Sequence, residues 1–133
     1  LHKALNVPVG IIVSAWGGSK VEAWTNREIL NTYDDVDLDE ETVNKLHPMS
    51  RPLLMYNGMI HPITNYKVNG FIWYQGESNI GAHEVYPDRL NNCGVSYGNI
   101  LIYPFTMLKW HLLSTVKVIG LLILEKHSLM HRN

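Results

Sequence analysis

Only one cysteine, Cys93, occurs in the 133 residues, so no internal disulfide framework can form and the redox compartment is left open. Charge is sparse. Asp, Glu, Lys and Arg make up 17% of the chain, and a formal net charge of −1 removes the electrostatic case for a nucleic-acid partner or an anionic membrane surface. Long apolar runs are missing too: Val118 to Leu124 is far short of the ~20 residues that span a bilayer. Repeats and low-complexity tracts are absent. No signal peptide is visible, and Leu1 already stands among residues of domain character, so the true N-terminus is expected upstream of it. What is present is a hydrophobic share of 46%, enough for one globular domain with a buried core.

Local patterns divide the chain into a small set of elements. Val9 to Ala15 ("VGIIVSA") is a β-branched run without helical period and reads as a buried parallel strand. It stops at Trp16-Gly17-Gly18-Ser19, where two glycines let backbone N–H groups face a ligand closely. Ser19 is expected to cap a helix over Val21 to Leu30, with Glu22 near its N-terminus. Asp34 to Glu41 reads as a solvated acidic loop, and Arg51 to Pro62 as a folded loop between prolines. Gly70 to Gln75 is a second strand that runs directly into Gly76-Glu77-Ser78-Asn79. Tyr86 to Asn92 looks like a helix start without a convincing continuation. The order strand, glycine turn, helix, loop, strand, polar turn predicts an α/β fold with a parallel sheet, and sites in such sheets form outside the strands' carboxyl ends.

Two turns therefore carry the candidate chemistry. "WGGSK" fails as a phosphate loop because Lys20 follows Ser19 instead of preceding it. It suits an oxyanion site, or else a turn needed only for close packing. In "QGESN", Asn79 can donate an amide hydrogen to a developing oxyanion, while Gln75 and Glu77 can shape the loop or contact a hydroxylated substrate. Ser78 and Asn79 equally suit a helix N-cap. Ser78 is no nucleophile elbow, since G-x-S-x-G needs a glycine where Ile80 stands. Glu77 lacks a second carboxylate for glycosidase chemistry. His127 and His131 have metal spacing but no third ligand, and His61 reads as a loop residue. Trp24 and Trp73 suit stacking on a sugar or, by default, packing in the core.

Taken together, "VPVGIIVSAWGGSKVEAW", "LLMYNGMIHPI" and "GFIWYQGESN" resemble the sialate O-acetylesterase family of the SGNH hydrolase superfamily over roughly residues 4–92. The resemblance implies a flavodoxin-like three-layer α/β/α domain. It also implies a serine esterase that removes O-acetyl groups from sialic acid or related sugars and needs no cofactor or metal. By this likeness Gly17 or Gly18 supplies one oxyanion donor and Asn79 the other, with Gln75 and Glu77 shaping the pocket. The implied partner is an acetylated carbohydrate, in a periplasmic, secreted or lysosomal setting. An acetylxylan-type esterase and a non-catalytic sugar-binding remnant are the alternatives.

The departures from that pattern are as informative. The family's nucleophilic serine lies in a G-Q-S-N motif upstream of the glycine turn, and its base in a D-x-x-H-like segment downstream; neither motif occurs here. A fragment inactive on its own is expected. Residues 1–92 carry 7 Lys and Arg against 11 Asp and Glu, whereas residues 93–133 carry 4 against 1. The clean punctuation of segments ends at the same point. Rereading the tail in a shifted frame, with permitted synonymous codons, turns Leu101 to Leu112 into "DIPFYYVEMAP", and Trp110-His111 is then forced to alanine. Residues 1–92 thus read as a partial domain and 93–133 as a frameshifted tail, with Leu121 and Leu122 exposed or loosely packed.

Overall fold

A computed structural model describes residues 6, 9–66, 70–97, 102–104 and 120–126, the last two segments as backbone strands. β1 (Val9–Ala15) and β2 (Gly70–Tyr74) occupy the expected runs. Between them lie two short helices, α1 (Arg27–Leu30) and α2 (Glu40–Lys45); beyond them come α3 (Tyr86–Ser96), β3 (Ile102–Pro104) and β4 (Gly120–Lys126). Alternation along β1 turns Ser14 inward and leaves Ile11 and Val13 exposed on the other face. In β2 the buried side chains are Phe71 and Trp73, and the same face continues to buried Gln75.

The sheet is mixed, which corrects the expectation of a parallel one. Its order is β1-β4-β2-β3, with β4 antiparallel to both β1 and β2 and only β2 and β3 parallel. β1 and β2 are separated by β4, whose apolar run "GLLILEK" pairs with both. One consequence is decisive for the site. Gly120 pairs with Ala15 on one side and with Tyr74 on the other, so β1 and β2 end level with each other. The turns that leave them start from one end of the sheet. Both β3 and β4 come from the segment read as a tail; the packing of the Leu121 and Leu122 side chains, and the pair His127 and His131, lie outside the described residues.

The helix expected over Val21 to Leu30 is two pieces: a 3-10 turn, Val21–Trp24, followed by α1. Thr25 separates them in an extended conformation, and its Oγ1 donates to the Val21 carbonyl at 3.0 Å, replacing a helical N–H. Asn26 then caps α1 through its Oδ1, which accepts from the Ile29 N–H at 2.9 Å. The "RPLLMYNGMIHP" loop contains a π-helical turn, Tyr56–Ile60, and a 3-10 turn, His61–Ile63.

α3 also departs from expectation, because it does continue past Asn92. Arg89, Cys93 and Tyr97 recur at i, i+4 and i+8 on one face, all of them buried. The charge break therefore falls inside a helix. The core formed against this face contains Val21, Ala23, Trp24, Met55, Ile60, Phe71, Trp73, Cys93 and Tyr97. Trp24 meets Trp73 edge to face at 6.2 Å, a geometry worth about 0.5–1.5 kcal/mol beyond area burial. These two tryptophans are core residues, not a sugar platform.

Candidate functional site

The turn after β1 is set by Gly18 and Ser19. Gly18 has φ +77°, and a Cβ there would lie 2.6 Å from Met49 Sδ, so the position tolerates no side chain without displacement. Ser19 is fully buried and does not cap a helix, contrary to expectation. Its Oγ donates to the Trp16 carbonyl and accepts from Trp24 Nε1, both at 2.8 Å. The hydroxyl thereby satisfies a buried indole N–H, which takes precedence over capping. Lys20 N–H donates to the Met49 carbonyl at 3.2 Å and fastens the turn to the following loop.

The turn after β2 is a 3-10 turn, Glu77–Asn79. Tyr86, from α3, donates its hydroxyl to the Gln75 carbonyl and Oε1 at 2.6 and 3.0 Å. Burial is the main reason the Tyr86 phenol is pushed above its usual pKa, which keeps it a donor.

The two turns are bonded directly to each other. Gln75 Nε2 donates to the Ser19 carbonyl at 3.0 Å and to Asn79 Oδ1 at 2.8 Å. Asn79 Oδ1 also accepts from the Val21 N–H at 3.0 Å. Ser78 Oγ donates to the Gly18 carbonyl at 2.7 Å. The structure thus brings Gly17, Gly18, Gln75, Ser78 and Asn79 to one place, with Glu77 exposed at the rim. His61 is exposed as well, in ring contact with Tyr56 at 6.1 Å.

Beneath the turns lies a charged network that the residue pattern did not disclose. Buried Glu22 accepts from Asn79 Nδ2, at 3.3 Å to Oε1 and 3.1 Å to Oε2, and forms an ion pair with Arg89. Arg89, from α3, also bonds both Asp35 oxygens at 2.6 Å, and the segment expected as a solvated acidic loop ends in α2, with Asp39 as its cap and Glu40 and Glu41 in its first turn. Burial opposes the guanidinium charge, but the bonds to Asp35 and Glu22 outweigh it and raise the Arg89 pKa. The Arg89 hydrogen bond in turn lowers that of Asp35. The only local hint was one acidic residue inside the apolar "VEAW". Among the described residues no group of three or more His, Cys, Asp or Glu is placed to hold a metal, and no helix is long and apolar enough to cross a membrane.

Two interlocked polar turns at the level carboxyl ends of β1 and β2 stand where α/β sheets place their ligand sites. Comparison with known proteins gives the family. Residues 1–94 match the model of the family described as carbohydrate esterase, sialic acid-specific acetylesterase, and the chain belongs to this family. It is 36% identical over 93 residues to the sialate O-acetylesterases of Pongo abelii and Homo sapiens, an overlap covering 70% of this chain and 17% of each relative. The chain therefore spans a small part of the length of the relatives it matches. No solved structure is matched.

Proposed function

We propose that the chain is the oxyanion-binding part of a serine carbohydrate O-acetylesterase that acts on O-acetylated sialic acid or a related sugar. The observation that carries this reading is the direct bonding of the two turns, Ser78 Oγ to Gly18 O and Gln75 Nε2 to Ser19 O, in a chain of this family. In the complete enzyme a serine Oγ attacks the acetyl carbonyl carbon. The Gly17 or Gly18 N–H and an Asn79 amide hydrogen hold the oxyanion that forms. The sugar oxygen leaves with a proton, and water then releases acetate from the acetyl-enzyme.

Several details of the site support that division of labour. An amide nitrogen carries two hydrogens, so a bond from Asn79 to Glu22 can leave the second for the oxyanion. Gln75 is buried and bonded to the first turn at Ser19, to Asn79 in its own turn and to Tyr86 of α3, so it shapes the loop. Glu77, exposed at the rim, is the residue assigned to contact a substrate hydroxyl. Serine nucleophile and base belong to the G-Q-S-N and D-x-x-H-like motifs that this sequence lacks, so the chain alone is inactive.

Acetate release from an aryl acetate and from O-acetylated sialic acid tests the reading. The 133-residue chain is expected to show no turnover, and the protein read from the extended coding sequence, with G-Q-S-N in frame, to turn over both. Turnover by the short chain overturns the assigned inactivity. An extended protein that binds the sugar but releases no acetate overturns the esterase.

A further inference from the structure

We infer that Glu22 is a positioning residue, whose buried carboxylate fixes the side-chain amide of Asn79 and thereby the spacing of the two turns. This rests on the esterase reading for its catalytic meaning, but its structural content stands apart from it. Glu22 is 6% exposed, within a 3-10 turn in which every residue is buried. A carboxylate at such a place is strongly unfavourable unless paired, and a residue needed only to fill the space would be apolar.

The bonds around Asn79 show what the charge accomplishes. Asn79 Oδ1 receives two donors, the Val21 N–H and Gln75 Nε2, whereas its Nδ2 faces only acceptors, the two Glu22 oxygens. Turning the amide over would set its NH2 against both donors and its oxygen against the carboxylate. Only one orientation is compatible, and Glu22 supplies the half of the discrimination that backbone cannot. Arg89 neutralises the carboxylate from α3, and exposed Asp35 holds the far side of the guanidinium. The Leu53 N–H bonds the Glu22 carbonyl at 3.2 Å, with Leu53 at φ +67°, so the backbone at Glu22 is held as well. Asn79 lies 57 residues from Glu22 and Arg89 lies 67 from it, so one buried charge joins three separate segments.

The test uses the 133-residue chain, labelled with 15N, and Glu22→Gln. Expected is a rise of about tenfold in hydrogen exchange at the Asn79 side-chain amide, with a changed 15N shift, while the Trp24 and Trp73 indole signals stay in place. An unchanged Asn79 amide in a folded variant overturns the inference. A second arm covers poor folding of that variant. Asn79→Asp sets a carboxylate against Glu22 and lowers the thermal midpoint. Adding Glu22→Gln restores much of the loss, because the introduced carboxylate would then accept from Val21, Gln75 and the new amide. A double variant no more stable than Asn79→Asp also overturns it. Neither arm depends on acetate release, so failure of the esterase reading is separately visible. In the extended enzyme, Glu22→Gln is expected to lower kcat about tenfold with KM nearly unchanged, as for a group that aligns a transition-state donor.

Discussion

The hydroxyl of Ser78 donates to the carbonyl of Gly18 at 2.7 Å across 60 residues of chain, and closes one turn of the site onto the other. The bond also defines Ser78 as a tether, since its proton is given to a backbone carbonyl and no imidazole is bonded to its Oγ among the described residues. Ser78→Ala is expected to lower stability in urea by about 0.5–1.5 kcal/mol, the net worth of one such bond. In the extended enzyme it should leave the acetyl-enzyme able to form. Loss of acetylation in a folded Ser78→Ala that Ser78→Thr restores would instead show that the hydroxyl is needed to assemble the site.

Gly18→Ala combines two separable penalties. An alanine in the left-handed region costs about 1–2 kcal/mol, and its Cβ would stand 2.6 Å from Met49 Sδ. The double variant Gly18→Ala with Met49→Ala removes the second penalty and keeps the first. Urea unfolding of the four-member cycle should therefore give a favourable coupling between the two substitutions. Simple additivity would show that the collision is relieved by movement of the flexible thioether.

Ser19→Ala removes the acceptor of a buried indole N–H, the bond from Trp24 Nε1 at 2.8 Å. Leaving that donor without a partner costs about 1–3 kcal/mol. Ser19→Thr keeps the oxygen but adds a methyl group at a position with no exposed surface, so it should be nearly as harmful. Thermal midpoints with tryptophan emission as the probe would check both. A tolerated alanine would mean that water replaces the hydroxyl.

What was legible in the chain follows from the range of each interaction. Local signals were enough to place β1, β2 and the two turns, because β-branched runs and glycine punctuation act within a few residues, although β1 is buried on one face only, with Ile11 and Val13 exposed. The family motifs added the expectation that these turns belong to one site. Thr25, by contrast, ended the first helix through a side-chain bond that intrinsic propensity does not register. α3 continued through Asn91, Asn92 and Gly94, poor helix formers, because Arg89, Cys93 and Tyr97 are buried on one face. β4 was not expected as a strand at all, since residues 93–133 read as a tail foreign to the domain, and an apolar run does not announce which strands it pairs with or in which direction. The Glu22 network needed partners 57 and 67 residues away, and no local pattern names them.

Cys93 gives the last prediction, for alkaline solution. Its thiol is wholly buried, bonded to the Tyr97 hydroxyl at 3.1 Å, and burial pushes its pKa from 9.0 to about 11. A group whose pKa is raised by folding stabilises the native state fully below the unfolded value. That contribution is then lost as pH climbs towards the folded value. The unfolded chain gives up this proton near pH 9.0 and the folded chain near 11, so stability should fall by roughly 2–3 kcal/mol across that window. Tyr97, raised by the same burial above its usual 10.0, adds to the loss from about pH 10 upward. Cys93→Ala should start less stable, through the lost volume, yet show a shallower decline between pH 9 and 10. Below pH 9 the native thiol should resist a water-soluble disulfide reagent and react only at the rate of unfolding. Rapid labelling of the folded chain would show that α3 opens locally at Cys93.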